Sequence, residues 1–244
     1  MIKFFRGPKK SYSVTEHGEG IYFAEDTKEV IMNAGVYTGP KPKEHKQEWV
    51  NVVATIEEAF SNGGMVSLNE DIDLTQPIEV KPGVSAVLDL NGHSIINTNP
   101  ATTDTVIVSE GASLVIKGNG TIDGGSGSSC NMAVYIKGGH CVIEDGTFHV
   151  GPDKDDSWNS CIEINGGVLE INGGTFSTDR PFKGRYFVLN KKDFSDSVIS
   201  VTGGTFINYD PANSATENPE QNFVANGYKS VQIEGTNNYK VLAV

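Results

Sequence analysis

The sequence predicts an all-β protein built as a parallel β-helix, and three observations carry that expectation. Leu169-Glu170-Ile171-Asn172-Gly173-Gly174-Thr175-Phe176 returns about thirty residues later as Ile199-Ser200-Val201-Thr202-Gly203-Gly204-Thr205-Phe206, and Cys141 to Phe148 precedes it by a similar interval. A motif returning at that spacing marks one supersecondary unit stacked on copies of itself. Short runs of alternating apolar and polar residues fill the intervals, too close together to leave room for helices between them. The 28 glycines among 244 residues suit a turn-rich β protein better than a helical bundle. A β-sandwich is the competing arrangement, but it has no need for the same corner chemistry at every turn.

Taken in order, residues 1–40 form a separate piece. Ile21 to Glu25 and Glu29 to Asn33 are strand-like runs joined by Asp26-Thr27-Lys28, which reads as a hairpin. An isolated hairpin is marginal in water, yet this one sits among Phe4, Phe5, Ile21, Tyr22 and Phe23. Those side chains are expected to pack either on the main domain or, the favoured reading, on other subunits or a docking partner. Residues 41–47 are rich in proline and charge and read as an extended linker. The main domain is placed at 48–244.

Glu48 to Asn62 is the one segment with helical periodicity. Trp49, Val52, Val53, Ile56, Ala59 and Phe60 share a face, and Asn62-Gly63-Gly64 ends the run. Its expected job is to cover the open first layer of the stack. Short strands follow at Met65 to Leu68, Ile72 to Leu74, Ile78 to Val80 and Val87 to Leu90, split by Asn-Glu, Gln-Pro and Lys-Pro-Gly turns.

Aligned on their last residue, the repeats give a column Ile95, Ile122, Phe148, Phe176, Phe206, preceded by Ser94, Thr121, Thr147, Thr175, Thr205. Stacked at about 4.8 Å per layer, the first becomes an internal apolar and aromatic ladder and the second a hydroxyl ladder at the bend. The same alignment gives outward columns Asp89, Val115, Val142, Glu170, Ser200 and Asn91, Lys117, Glu144, Asn172, Thr202, with Lys117 and Glu144 as a cross-layer ion pair. Val106 to Val108, Ala133 to Ile136, Cys161 to Ile164 and Phe187 to Leu189 are companion strands. Val231 to Leu242 reads as a closing hairpin over an edge that would otherwise template aggregation.

The chemistry in this pattern is sparse. Paired-carboxylate catalysis needs the two groups about 5 to 9.5 Å apart across a groove, and neither outward column places two acids side by side. Glu163 and Glu170 fall on consecutive strands around a corner and read as solvated surface rather than an acid/base pair. Asp153, Asp155 and Asp156 lack the regular ligand spacing and closing Glu of a calcium loop. His93 reads as a turn residue, and no Ser/His/Asp arrangement, phosphate loop or zinc pattern is present. Cys130, Cys141 and Cys161 are odd in number and fit no metal spacing, so they read as reduced, with Cys141 and Cys161 filling core space. No catalytic residue, metal site or cofactor is therefore assigned. The variable loops are where specificity belongs, and Asp153, Asp155, Asp156, Trp158, Arg180 and Arg185 are the adhesion candidates there. A net charge of −12 argues against nucleic acid as a partner. No apolar run is long enough to span a membrane, and Met1 to Gly7 carries no signal-peptide pattern.

Val87-Leu88-Asp89-Leu90-Asn91-Gly92-His93-Ser94-Ile95, after the helix ending at Gly64, resembles the opening coil of right-handed parallel β-helix proteins of the pectate-lyase-like type. Gly203-Gly204-Thr205-Phe206 through Asn213, then Asn222 to Tyr228, resembles the ending of β-helix proteins of tailed phages. Gly20 to Ala24 with Asp26-Thr27-Lys28 and Val30 is similar to N-terminal hairpins of phage fibre proteins. The resemblance implies a trimeric virion appendage: a head fibre, capsid decoration or short tail fibre, synthesised in the bacterial host cytoplasm and displayed on the virion surface. It further implies that Phe4, Phe5, Ile21, Tyr22, Phe23, Val30 and Tyr37 attach the protein to capsid or tail and to its own copies. The β-helix would project toward a host-surface glycan. The missing carboxylate groove departs from depolymerase tailspikes, so a non-enzymatic role is expected. A depolymerase and a bacterial surface adhesin are the alternatives.

Overall fold

A computed structural model describes residues 54–99, 104–126, 131–152, 159–214, 216–217 and 219–244, and the backbone of Ile21–Phe23 and Val30–Met32. The chain divides into two compact units, Met1–Val50 and Asn51–Val244. In the first, β1 (Ile21–Phe23) pairs antiparallel with β2 (Val30–Met32), with Phe23 opposite Val30 and Ile21 opposite Met32. The linker expected at 41–47 lies outside the described residues.

The second unit begins with α1 (Ile56–Asn62), shorter than the helix that periodicity predicts. Thr55 stands in extended backbone, and its hydroxyl accepts from the Glu58 N–H at 3.1 Å, which starts the helix there. Trp49, Val52 and Val53 lie outside the described residues. Ile56, Ala59 and Phe60 are buried in the main core, and the Lys81 N–H donates to the Phe60 carbonyl at 2.9 Å. The helix thus seats on the first coil, as expected.

Three parallel sheets wind along the rest of the unit. The first holds β3 (Gly64–Ser67), β6 (Ser85–Asp89), β9 (Ser113–Lys117), β12 (His140–Ile143), β15 (Val168–Ile171) and β18 (Val198–Val201) in that spatial order. The second holds β4 (Ile72–Leu74), β7 (Ser94–Asn97), β10 (Thr121–Asp123), β13 (Thr147–Val150), β16 (Thr175–Thr178) and β19 (Thr205–Phe206). The third holds β5 (Ile78–Val80), β8 (Asp104–Val108), β11 (Met132–Ile136), β14 (Ser160–Ile164) and β17 (Leu189–Lys191). Each coil visits the three in turn and each strand pairs with its counterpart one coil away, so the unit is a parallel β-solenoid.

The bend columns stand in register as the repeat predicts: Ser94, Thr121, Thr147, Thr175 and Thr205, then Ile95, Ile122, Phe148, Phe176 and Phe206. The rings of Phe148 and Phe176 stack at 5.0 Å and 9°, those of Phe176 and Phe206 at 5.1 Å and 13°. All three side chains are fully buried. The Gly173-Gly174 pair beside them serves two needs. Gly174 sits at φ +97°, a region costly for L side chains, whereas a Cβ on Gly173 would collide with the Glu144 carbonyl of the coil below.

The outward columns differ from the expected alignment in the first coils. Val87, not Asp89, is level with Val115, and Asp89 is level with Lys117. The reason is corner length. Leu90–His93 and Gly118–Gly120 turn the earlier coils, with Asn91 and Gly92 both at positive φ, and alignment on the last residue carries that extra length into the strands. Lys117 accordingly pairs with Asp89, Nζ to Oδ2 at 4.0 Å, rather than with Glu144.

The last coil is closed in three ways. β20 (Tyr228–Gln232) and β21 (Tyr239–Ala243) form the closing hairpin, and β21 pairs antiparallel with β19. On β18, Val201 exchanges backbone bonds with Phe223 and Ala225 at 2.9 Å each. On β17, the Lys191 N–H donates to Glu217 Oε1 at 3.0 Å, and the Thr216 hydroxyl donates to the Leu189 carbonyl at 2.9 Å.

The aromatic column should dominate stability. Phe176→Ala is expected to cost about 3–5 kcal/mol in denaturant unfolding, and Phe176→Leu distinctly less, since part of the volume is kept. Gly173→Ala is expected to cost about 1–3 kcal/mol through overpacking at the corner. Equal stability of Gly173→Ala and the wild type would show that the corner can relax.

Candidate functional site

The corners of the coil are unequal. Turns from the first sheet to the second are minimal, as at Glu144–Gly146, Asn172–Gly174 and Thr202–Gly204. Connections from the second sheet to the third are short in the first coil, where residues 75–77 suffice, but long in the later ones, spanning residues 98–103, 124–131, 151–159 and 179–188. The long connections of consecutive coils therefore start and end at one corner, and this loop edge is the candidate functional site.

Two buried asparagines close the necks of these loops. Asn131 Nδ2 donates to the Gly124 carbonyl at 2.9 Å, and Asn159 Nδ2 donates to the Gly151 carbonyl at 2.7 Å. The Asn131 N–H donates in turn to Asn159 Oδ1 at 2.9 Å, which ties one neck to the next. Hydrogen bonds between buried groups hold a loop base firmly, although Asn131 Oδ1 is itself buried without a partner.

A charged ladder runs beside the necks. His149 lies level with Asp123 of the coil before, with Nδ1 at 3.4 Å from Asp123 Oδ2 and Nε2 at 3.0 Å from Asp179 Oδ1. The hydrogen bond with Asp123 raises the His149 pKa to about 9, against partial burial and with help from Asp179. Burial opposes ionisation of Asp123, but His149 and the Gly125 N–H hold its carboxyl below the ordinary value.

The loop residues singled out in the sequence fall at this corner. Asp153, Asp155, Asp156 and Trp158 belong to the 151–159 connection but lie outside the described residues. Arg180 and Arg185 are exposed on the 179–188 loop of the next coil. Of the attachment candidates, Phe4, Phe5 and Tyr37 lie outside the described residues, while Ile21, Tyr22 and Phe23 are on β1 and Val30 on β2. Cys141 and Cys161 are buried free thiols, and burial pushes Cys141 up to about 12 and Cys161 up as well. His93 closes a tight turn, its N–H donating to the Leu90 carbonyl at 2.8 Å.

Glu163 is a correction. It is 3% exposed rather than solvated, and accepts from Asn190 Nδ2 at 3.0 Å. Burial raises its pKa, partly offset by that bond. Strand alternation turns it away from the coil interior, but every residue of β14 is buried, so the outer face of the third sheet is covered here. Glu170, on the first sheet, meets His140 Nε2 at 2.8 Å.

The structure adds residues that sequence reading missed. The His149 ladder is one, because its acids lie in other coils and form no linear motif. Phe194 is another: it is fully exposed, at φ +61°, in the turn after β17. The Ser197 hydroxyl accepts from the Gly166 N–H at 2.7 Å and meets the Ser195 hydroxyl at 2.7 Å, so this turn is pinned. Among the described residues no group of three His, Cys, Asp or Glu side chains could hold a metal ion, and no helix is long and apolar enough to cross a membrane.

Comparison with family models, with curated proteins and with solved structures finds no match.

The His149 ladder makes stability depend on alkaline pH. With its pKa raised above the unfolded value, the stabilisation is full below about pH 6.5 and is lost as pH rises through about 9. The wild type should lose melting temperature across that interval, and His149→Gln should show a flatter profile there. Parallel profiles would remove the ladder from the account.

Proposed function

We propose that this protein is a non-enzymatic phage virion appendage, a head fibre, capsid decoration or short tail fibre, whose β-solenoid presents its loop edge to a host-surface glycan. The observation that carries this reading is the concentration of loop length at one corner of a scaffold whose first-to-second corners are minimal. A rigid frame with variable loops on one edge suits recognition. Among the described residues, several carboxylates of the coils are engaged in holding them together. Asp123 and Asp179 flank His149, Glu163 binds Asn190, and Glu79 accepts from the Ser109 hydroxyl at 2.5 Å. Such pairing favours scaffold over acid/base chemistry.

The resemblance of Gly20 to Val30 to phage attachment hairpins supplies the other half of the reading. The β1–β2 hairpin would join the particle, and a homotrimer would shelter aromatic residues that a lone hairpin leaves wet. Phe4, Phe5, Ile21, Tyr22, Phe23, Val30 and Tyr37 are the residues assigned to that contact.

Two measurements test this. Mass spectrometry of purified particles should find the protein at a fixed ratio to the major capsid protein; its absence from particles sinks the virion reading. Purified protein should adhere to host cells without releasing reducing ends or unsaturated sugars. Release of either would make it a depolymerase.

A further inference from the structure

We infer that residues 180–187 form a preorganised finger that recognises acidic polysaccharide, with Lys183 and Arg185 taking uronate carboxylates and Phe182 packing on the sugar face. This rests on the adhesion reading above and names the class of glycan.

The finger is built rather than merely exposed. Phe182 and Arg185 exchange backbone N–H to carbonyl bonds, 2.9 Å each way, across Lys183 at φ +48° and Gly184 at φ +80°. Two central residues at positive φ make the tight two-residue hairpin turn. The Phe182 ring meets Phe187 edge-on at 6.1 Å and 61°, and Lys183 Nζ lies 4.9 Å from the Phe182 centroid. Both ends are anchored to the coil below. The Asp179 N–H donates to the Val150 carbonyl at 3.1 Å, and the Cys161 N–H donates to the Phe187 carbonyl at 3.0 Å. A tip held this way loses little freedom on binding.

Its charge runs against the rest of the molecule. The chain carries 31 acids to 19 Lys and Arg, yet from Arg180 to Phe187 there are three cations and no acid. The acid at the base, Asp179, is held by His149. Lys183 and Arg185 are exposed and Phe182 is partly exposed beside them. Cations next to an aromatic face match a ligand with carboxylates on pyranose rings: the guanidinium and ammonium meet the anion, and the ring meets the sugar C–H face. Nucleic acid fits less well. Duplex DNA carries a charge every ~1.7 Å, which a short finger on a chain of net charge −12 would not offset.

Full-length protein should be titrated with alginate, polygalacturonate and hyaluronan, with carboxyl-reduced alginate and a DNA duplex as controls. Lys183→Gly keeps a residue suited to positive φ, so the double variant Lys183→Gly/Arg185→Ser should retain the wild-type melting temperature. The expected result is salt-sensitive binding to at least one polyuronate, weakened at least about tenfold in the double variant, with little binding to the controls. Failure to bind any of the three polyuronates, equal binding of the carboxyl-reduced polymer, unchanged affinity of the double variant, or tighter binding of the duplex would each overturn it. Host-cell adhesion measured in parallel separates the two readings. If the wild type and double variant adhere equally, the finger falls and adhesion stands; if the wild type does not adhere, both fall.

Discussion

The in-register Phe148–Phe176–Phe206 stack is the contact on which the rest of the fold depends. Parallel rings near 5 Å apart are possible only if each coil delivers its aromatic to the same point. That fixes the register of β13, β16 and β19, and with it the level of every other residue in those coils. The corner that delivers the rings must then be short and reproducible. Gly173 and Gly174 make it so, one by lacking a Cβ under the next carbonyl and the other by accepting positive φ. Ring, bend and register are one constraint seen at three points.

From this constraint follows the division between short and free corners. The first-to-second corner carries the aromatic register and tolerates little insertion. The second-to-third corner carries no such stack, and its loops can lengthen provided their necks close. Asn131 and Asn159 close them, each amide bonding across its own neck and the pair bonding between coils. Loop length thus accumulates where the core is indifferent to it, and this is also where Arg180, Lys183 and Arg185 emerge.

Much of this was legible in the sequence because identical corners recur. The Thr and Phe columns could be read directly, since Gly-Thr-Phe marks the same point in each later coil. Asp89 and Lys117 were misplaced because Asn91-Gly92 lengthens the first corner, and a strand register cannot be counted through a turn of unknown length. Glu163 was misread for a different reason. Alternation reports which face a residue points to, not whether that face is covered. The helix start was missed because apolar spacing extends N-terminal to Thr55, whereas the Thr55 cap begins the helix. At the loop edge, Arg180 and Arg185 were visible as charges, but the turn geometry that joins Arg185 to Phe182 was not.

The arrangement of acids follows from the stacking of the coils. Residues level on neighbouring strands stand about 4.8 Å apart, so two acids at one level would repel or force one to hold a proton. Among the described residues, no two acids are paired across neighbouring strands of the three sheets. Asp123 faces Ile96 and His149, Glu163 faces Tyr135 and Asn190, Glu170 faces Val142 and Ser200, and Asp89 faces Ser67 and Lys117. A chain with this many acids keeps its coils together by interleaving them with cations, amides and apolar groups. The same spacing that makes a solenoid a natural frame for paired catalytic carboxylates is here used to keep carboxylates apart. The balance shifts at the loop edge, where Lys183 and Arg185 stand exposed on a chain of net charge −12.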